Sequence, residues 1–124
     1  MLMKRVARLA GLAVALVSSA CAKTGIVDVS ASDAIKDQTI LVGVGQEVDL
    51  TIQTVGPGGY SDHPSISSNA AVFLGVEDVG LAVPAGPRVR FRFRGITRGD
   101  AVVRIPKWEA GSVVATLEDT LRVR

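Results

Sequence analysis

Arg88-Val89-Arg90-Phe91-Arg92-Phe93-Arg94 alternates charged and apolar residues without a break. Successive side chains of a β-strand point to opposite faces, so this stretch presents Val89, Phe91 and Phe93 on one side and the four arginines on the other. Wound as a helix, the same residues would scatter around the cylinder and leave no apolar stripe. The stretch therefore predicts a half-buried strand in a sheet with a dry inner face and a basic outer face.

Working outward from it, Gly95 and Gly99 mark a turn, and residues 101–105 read as the next strand, ended by Pro106. Residues 107–112 read as an exposed loop carrying Trp108. Residues 113–124 close the domain, with Leu117, Leu121 and Val123 inward and Thr120, Arg122 and Arg124 outward. On the other side, residues 80–87 form a loop rich in Gly and Pro. Residues 71–79 are apolar without clean alternation, which predicts a strand buried on both faces or bulged at Gly75. The run Gly56-Pro57-Gly58-Gly59-Tyr60-Ser61-Asp62-His63-Pro64 breaks regular structure, because the prolines remove donors and the glycines permit positive φ. Val48, Leu50 and Ile52 alternate with Asp49, Thr51 and Gln53 as a second half-buried strand, joined by the turn Gly43-Val44-Gly45-Gln46 to a β-branched run over 39–44.

Hydrophobic residues make up 48% of the 124 residues but aromatics only 4%, so the core must be built mainly from Val, Leu, Ile and Ala. Six or seven short strands with turns between them, and no helical periodicity, predict an all-β antiparallel sandwich over residues 39–124. Residues 21–38 read as a tether or a weak first strand, in which Ile26, Val27 and Val29 could pair at an edge. Replacing Arg90 or Arg92 is expected to cost little.

Residues 1–20 have the parts of an export signal: Lys4, Arg5 and Arg8, then an apolar run over 9–17 too short for a stable bilayer anchor, then Ser18-Ser19-Ala20. Removing those three cations from a net charge of +2 leaves −1, which weakens a nucleic-acid reading. Cys21 is the only cysteine, so no intramolecular disulfide can form. Val17-Ser18-Ser19-Ala20-Cys21 resembles a bacterial lipobox, with Ser18 where that pattern prefers Leu. The resemblance implies lipidation of Cys21 and a location at the outer membrane or in the periplasm; cleavage before an unlipidated Cys21 is the alternative.

Catalytic chemistry is sparse. Ser61-Asp62-His63 are adjacent and cannot align nucleophile, base and orienter, and His63 is the only histidine. No paired carboxylates or metal set stand out, so the expectation is a non-enzyme without cofactor or metal. The arginine row could meet anionic headgroups, but pairing with Asp49 and Glu77 across strands is the simpler expectation.

Two resemblances bear on function. Ser67-Ser68-Asn69 before Val72, with Gly99-Asp100-Ala101-Val102-Val103, is similar to bacterial immunoglobulin-like domains. From Thr39 to Arg124 the chain also resembles the chagasin-like inhibitors of cysteine peptidases, an immunoglobulin-type sandwich. Gly45-Gln46, with the strand from Val48, looks like that family's entry. Gly59-Tyr60 stands where its Asn-Pro-Thr-Thr-Gly-aromatic loop ends, and Arg104-Ile105-Pro106-Lys107-Trp108-Glu109 looks like its Arg-Pro-Trp loop. Residues 55–58 lack the Asn and the Thr pair, Lys107 separates Pro106 from Trp108, and residues 80–86 replace a shorter loop.

The first expectation is therefore a non-catalytic, membrane-tethered envelope lipoprotein with an immunoglobulin-like binding module of unknown partner. The alternative is a chagasin-like inhibitor of papain-type cysteine peptidases, with Gly59, Tyr60, Pro106 and Trp108 as contacts at the loop tips. Tyr60 and Trp108 could instead pack at the edge of the core. Tips at one end of the sandwich would make a binding edge; tips at opposite ends would not.

Overall fold

A computed structural model of the chain describes residues 25–82 and 86–124. The export signal read over residues 1–20, the lipobox cysteine Cys21 and part of the loop before the arginine-rich strand lie outside the described residues.

Nine strands and no helix form among the described residues: β1 (Ile26–Ala31), β2 (Thr39–Val42), β3 (Glu47–Gln53), β4 (Gly59–Tyr60), β5 (Ser65–Ile66), β6 (Ala71–Ala82), β7 (Gly86–Gly95), β8 (Gly99–Glu109) and β9 (Ser112–Val123). They make two sheets, one ordered β1-β3-β7-β6 and the other β2-β9-β8-β4, with β5 also on β8. This is the expected immunoglobulin-like β-sandwich. The strand count exceeds six or seven because β4 and β5 are two residues each, too short to show a period. Two edge pairings, β1 with β3 and β2 with β9, are parallel. One extended N-terminal run supplies both strands and changes sheets over residues 32–38. Ser32 starts that crossing, its Oγ accepting from the amides of Ala34 and Ile35.

The organising strand is β7. Phe91 and Phe93 are 0% exposed, and Val48, Leu50 and Ile52 of the adjacent β3 are buried beside them. From the opposing sheet come Val103 and Ile105 of β8 and Leu117, Leu121 and Val123 of β9. Phe73 of β6 completes the aromatic group, its ring 5.5 Å from Phe93 and 6.3 Å from Phe91. The register of β6 slips between Phe73 and Gly75, so a bulge falls at the predicted place and turns Leu74 outward. At Gly95 a Cβ would lie 2.8 Å from the Gly43 carbonyl oxygen, and only glycine lets β7 end against that turn.

Two inward positions are charged. Asp119 of β9 sits between Leu117 and Leu121 in the alternation, and burial pushes its carboxyl up. Its Oδ1 accepts from the Gln38 amide at 2.8 Å and so ties down the end of the crossing. The second is Lys107 of β8, described below.

The outer face of the first sheet is an ion-pair lattice. Arg92 lies 3.1 Å from Glu77, 3.5 Å from Asp49 and 3.8 Å from Glu47; Arg90 reaches Glu77 at 3.7 Å and Asp49 at 3.9 Å. This matches the expected cross-strand pairing. Asp49, however, is buried under these arginines, and that burial raises its carboxyl pKa despite them. The expectation that Arg92 can be removed cheaply is therefore corrected. Arg92→Ala strips the nearer cation from a buried carboxylate and is expected to lower stability by about 1–2 kcal/mol. Urea unfolding checks this, and a loss under about 0.5 kcal/mol would restore the simpler reading.

Candidate functional site

The β3–β4 and β8–β9 connections and the start of β7 meet at one end of the sandwich. Gln53 pairs with Arg88, which brings the end of β3 to the start of β7. The Thr54 amide donates to the Pro87 carbonyl at 3.1 Å. Gly59 pairs with Trp108 and Tyr60 with Lys107, which lays β4 along the end of β8. Gly58 is needed for that approach: its φ is +96°, and a Cβ there would sit 2.7 Å from the Trp108 carbonyl oxygen. Tyr60 and Trp108 thus stand at the same end, on neighbouring strands.

β8 does not stop at Pro106, and the loop expected over 107–112 contracts to the turn Ala110-Gly111. Both residues have positive φ, 51° and 84°, the backbone of a tight type I′ hairpin. Pro106 is tolerated because its carbonyl accepts from the Ser61 amide at 2.8 Å, so its missing N–H faces the loop side and not β9.

Alternation along β8 then sorts the predicted residues. Val103, Ile105 and Lys107 point inward, while Arg104, Pro106 and Trp108 point outward. Gly59 shares the outward face with Trp108, and so does Val113, the β9 partner of Trp108. Trp108 is 45% exposed, with Val113 and Val114 exposed near it. Gly59 leaves open space where a side chain would stand. Gly59, Pro106, Trp108 and Val113 therefore form one uncharged outward patch.

Tyr60 leaves that patch. It is half-buried and faces the space between the sheets, where it lines a cleft of about 340 Å³ with Val76, Val89 and Phe91. Its hydroxyl donates to Asp33 Oδ1. Burial, followed by that hydrogen bond, pushes the phenol pKa up. The two readings of these aromatics divide between them: Tyr60 packs at the core edge and Trp108 is exposed.

Lys107 is only 5% exposed. Its Nζ donates to Asp33 Oδ2 and to the Val55 carbonyl, both at 2.9 Å, and lies 5.7 Å from the Tyr60 ring centre. The Tyr60 hydrogen bond, with Lys107 second, holds the Asp33 carboxyl below the usual carboxylate range. Neither Asp33 nor Lys107 carries a motif that marks it as a site residue. The sole available signal was the inward alternation Val103, Ile105, Lys107, interrupted on paper by Pro106. Asp62 and His63 are exposed and pair with each other at 2.6 Å. Among the described residues no three His, Cys, Asp or Glu side chains gather as a metal set.

No protein-family model matches the chain, and no curated protein matches it. Solved structures do. The fold is similar to the crystal structure of the cysteine protease inhibitor EhICP2 from Entamoeba histolytica, with a TM-score of 0.59 and 11% identity over 80% of this chain and 97% of that one. It is also similar to the solution structure of amebosin, with a TM-score of 0.51 and 10% identity over 81% of this chain and 100% of that one. At such identities the likeness establishes the sandwich.

Proposed function

We propose that this chain is a non-catalytic inhibitor of papain-type cysteine peptidases, and that the edge formed by Gly59, Pro106, Trp108 and Val113 docks against the peptidase. The observation that carries the reading is the pairing of Gly59 with Trp108 at the end where the β3–β4 and β8–β9 connections meet. An exposed indole beside a glycine and a flat apolar neighbour is the kind of anchor that concentrates binding energy at protein interfaces. The likeness to EhICP2 favours this reading over a tethered module of unspecified partner. Tyr60 acts here by shaping the edge from behind and not by contact.

Papain is expected to be inhibited at micromolar or lower concentration. Trp108→Ala is expected to raise the inhibition constant about 30-fold, which is roughly 2 kcal/mol. No inhibition by the wild-type chain at 10 µM, a concentration on the order of weak specific complexes, removes the proposal.

The positive start and apolar run of residues 1–20, followed by Cys21, support export. In this proposal the inhibitor acts in the periplasm or at the outer membrane, held by lipid on Cys21. A mass spectrum of the mature chain showing an unmodified Cys21 removes the anchor and leaves the inhibitor reading untouched.

A further inference from the structure

A buried ammonium is costly unless its partners are well placed, and an apolar side chain of similar volume would fill the same space without that cost. Lys107 has the geometry that offsets it. The ammonium has three donors, and two of them go to groups on separate segments: the Asp33 carboxylate in the crossing between sheets and the Val55 carbonyl in the β3–β4 connection. Its remaining side is turned toward the ring of Tyr60 on β4. Asp33 in turn accepts from the Tyr60 hydroxyl, so the group closes on itself.

The position of this group matters more than its strength. Lys107 immediately precedes Trp108, and Tyr60 immediately follows Gly59. Each inward member of the group is thus the chain neighbour of an outward member of the docking patch. Val55, whose carbonyl is held, begins the run Gly56-Pro57-Gly58 that leads to Gly59. Two glycines in that run have positive φ, and a stretch so permissive needs an external restraint to keep one conformation.

We infer that Lys107, with Asp33 as its counter-charge, is the positioning residue of this edge: from inside the sandwich it holds the 55–59 run and β4 against Trp108. The inference rests on the proposed docking edge for its consequence, but the restraint itself can be observed without a peptidase. A chain that presents the edge in one conformation avoids the affinity lost when only a fraction of molecules is competent to bind.

The test compares wild type, Asp33→Asn and Lys107→Met with Val48→Ala, a core deletion in β3 near the opposite end of the sandwich. Amide hydrogen exchange is read at Thr54 and Ser61, whose amides donate to the Pro87 and Pro106 carbonyls at the two ends of this segment, and papain inhibition is read in parallel. Asp33→Asn and Lys107→Met are expected to speed exchange at these amides at least tenfold, on the order of the loss of one or two restraining bonds. Val48→Ala is expected to lower global stability and leave them unchanged. The inhibition constant is expected to rise at least tenfold for Asp33→Asn, about the same energy, and to stay within about twofold for Val48→Ala. Unchanged loop exchange in Asp33→Asn overturns the inference, whatever papain shows. Faster exchange with an unchanged inhibition constant overturns its link to binding. If the wild type fails to inhibit papain, the proposed function falls, and the exchange data alone decide on the restraint.

Discussion

Phe93→Ala is expected to lower the unfolding free energy by about 3–5 kcal/mol. Phe93 is fully buried, faces Val48 across the β3–β7 pair and stacks at an angle on Phe73. Its removal takes away the transfer energy of a phenyl ring and leaves a void that neighbours from two sheets can fill only in part. Small domains have about 5–15 kcal/mol in total, so this single change removes a large share of the margin. Arg94, the next residue, lies on the other face of the same strand and is exposed. Arg94→Ala is expected to stay within about 0.5 kcal/mol of wild type. Urea unfolding of both variants reads the contrast, and equal losses would mean that β7 does not separate a dry face from a wet one.

Asp33→Asn is expected to cost about 2–4 kcal/mol near neutral pH, because it leaves the Lys107 ammonium buried without a counter-charge. The figure sits below that of a fully buried pair because the Asp33 side chain is 41% exposed. Asparagine keeps an acceptor for the Tyr60 hydroxyl, so the change isolates the charge. The pH dependence has a definite sign. The Asp33 pKa is depressed below 3.8 in the folded chain, first by Tyr60 and then by Lys107. A depressed carboxylate contributes stability that is full above the unfolded value and is lost as pH falls through the folded one. The gap between wild type and Asp33→Asn should therefore be constant above about pH 5 and close as pH drops below 4. On the alkaline side the raised Tyr60 pKa has the opposite consequence: stability from the neutral phenol is lost as pH rises above 10. A gap that stays the same at pH 3 and pH 7 would mean that Asp33 and Lys107 are not a charged pair.

The elements that were legible in the sequence are those with a local signature. The alternation over residues 88–94 and that of Val48, Leu50 and Ile52 translate directly into β7 and β3, because the period of two is a property of the extended backbone. The bulge at Gly75 and the turn at 43–46 are likewise carried by residues close together in the chain. The resemblance marked Gly59 and Trp108 as loop residues but left open whether they share one end, which only the strand pairing decides. Pro106 misled, since a proline ends a strand only where its missing donor is needed by a neighbour. Here the donor would have faced the loop.

By itself the sequence determined that this chain folds as two packed sheets around Phe91 and Phe93, since alternation needs nothing beyond nearest neighbours along the strand. Tertiary structure alone decided that Tyr60 turns inward while Trp108 stays out, and that Asp33 and Val55 close around the buried Lys107 ammonium. Asp33 and Lys107 are separated by 74 residues, and no local pattern in charge or hydropathy encodes which distant carboxylate a buried ammonium will find. That choice follows from sheet order and register, which depend on how all the strands pack together.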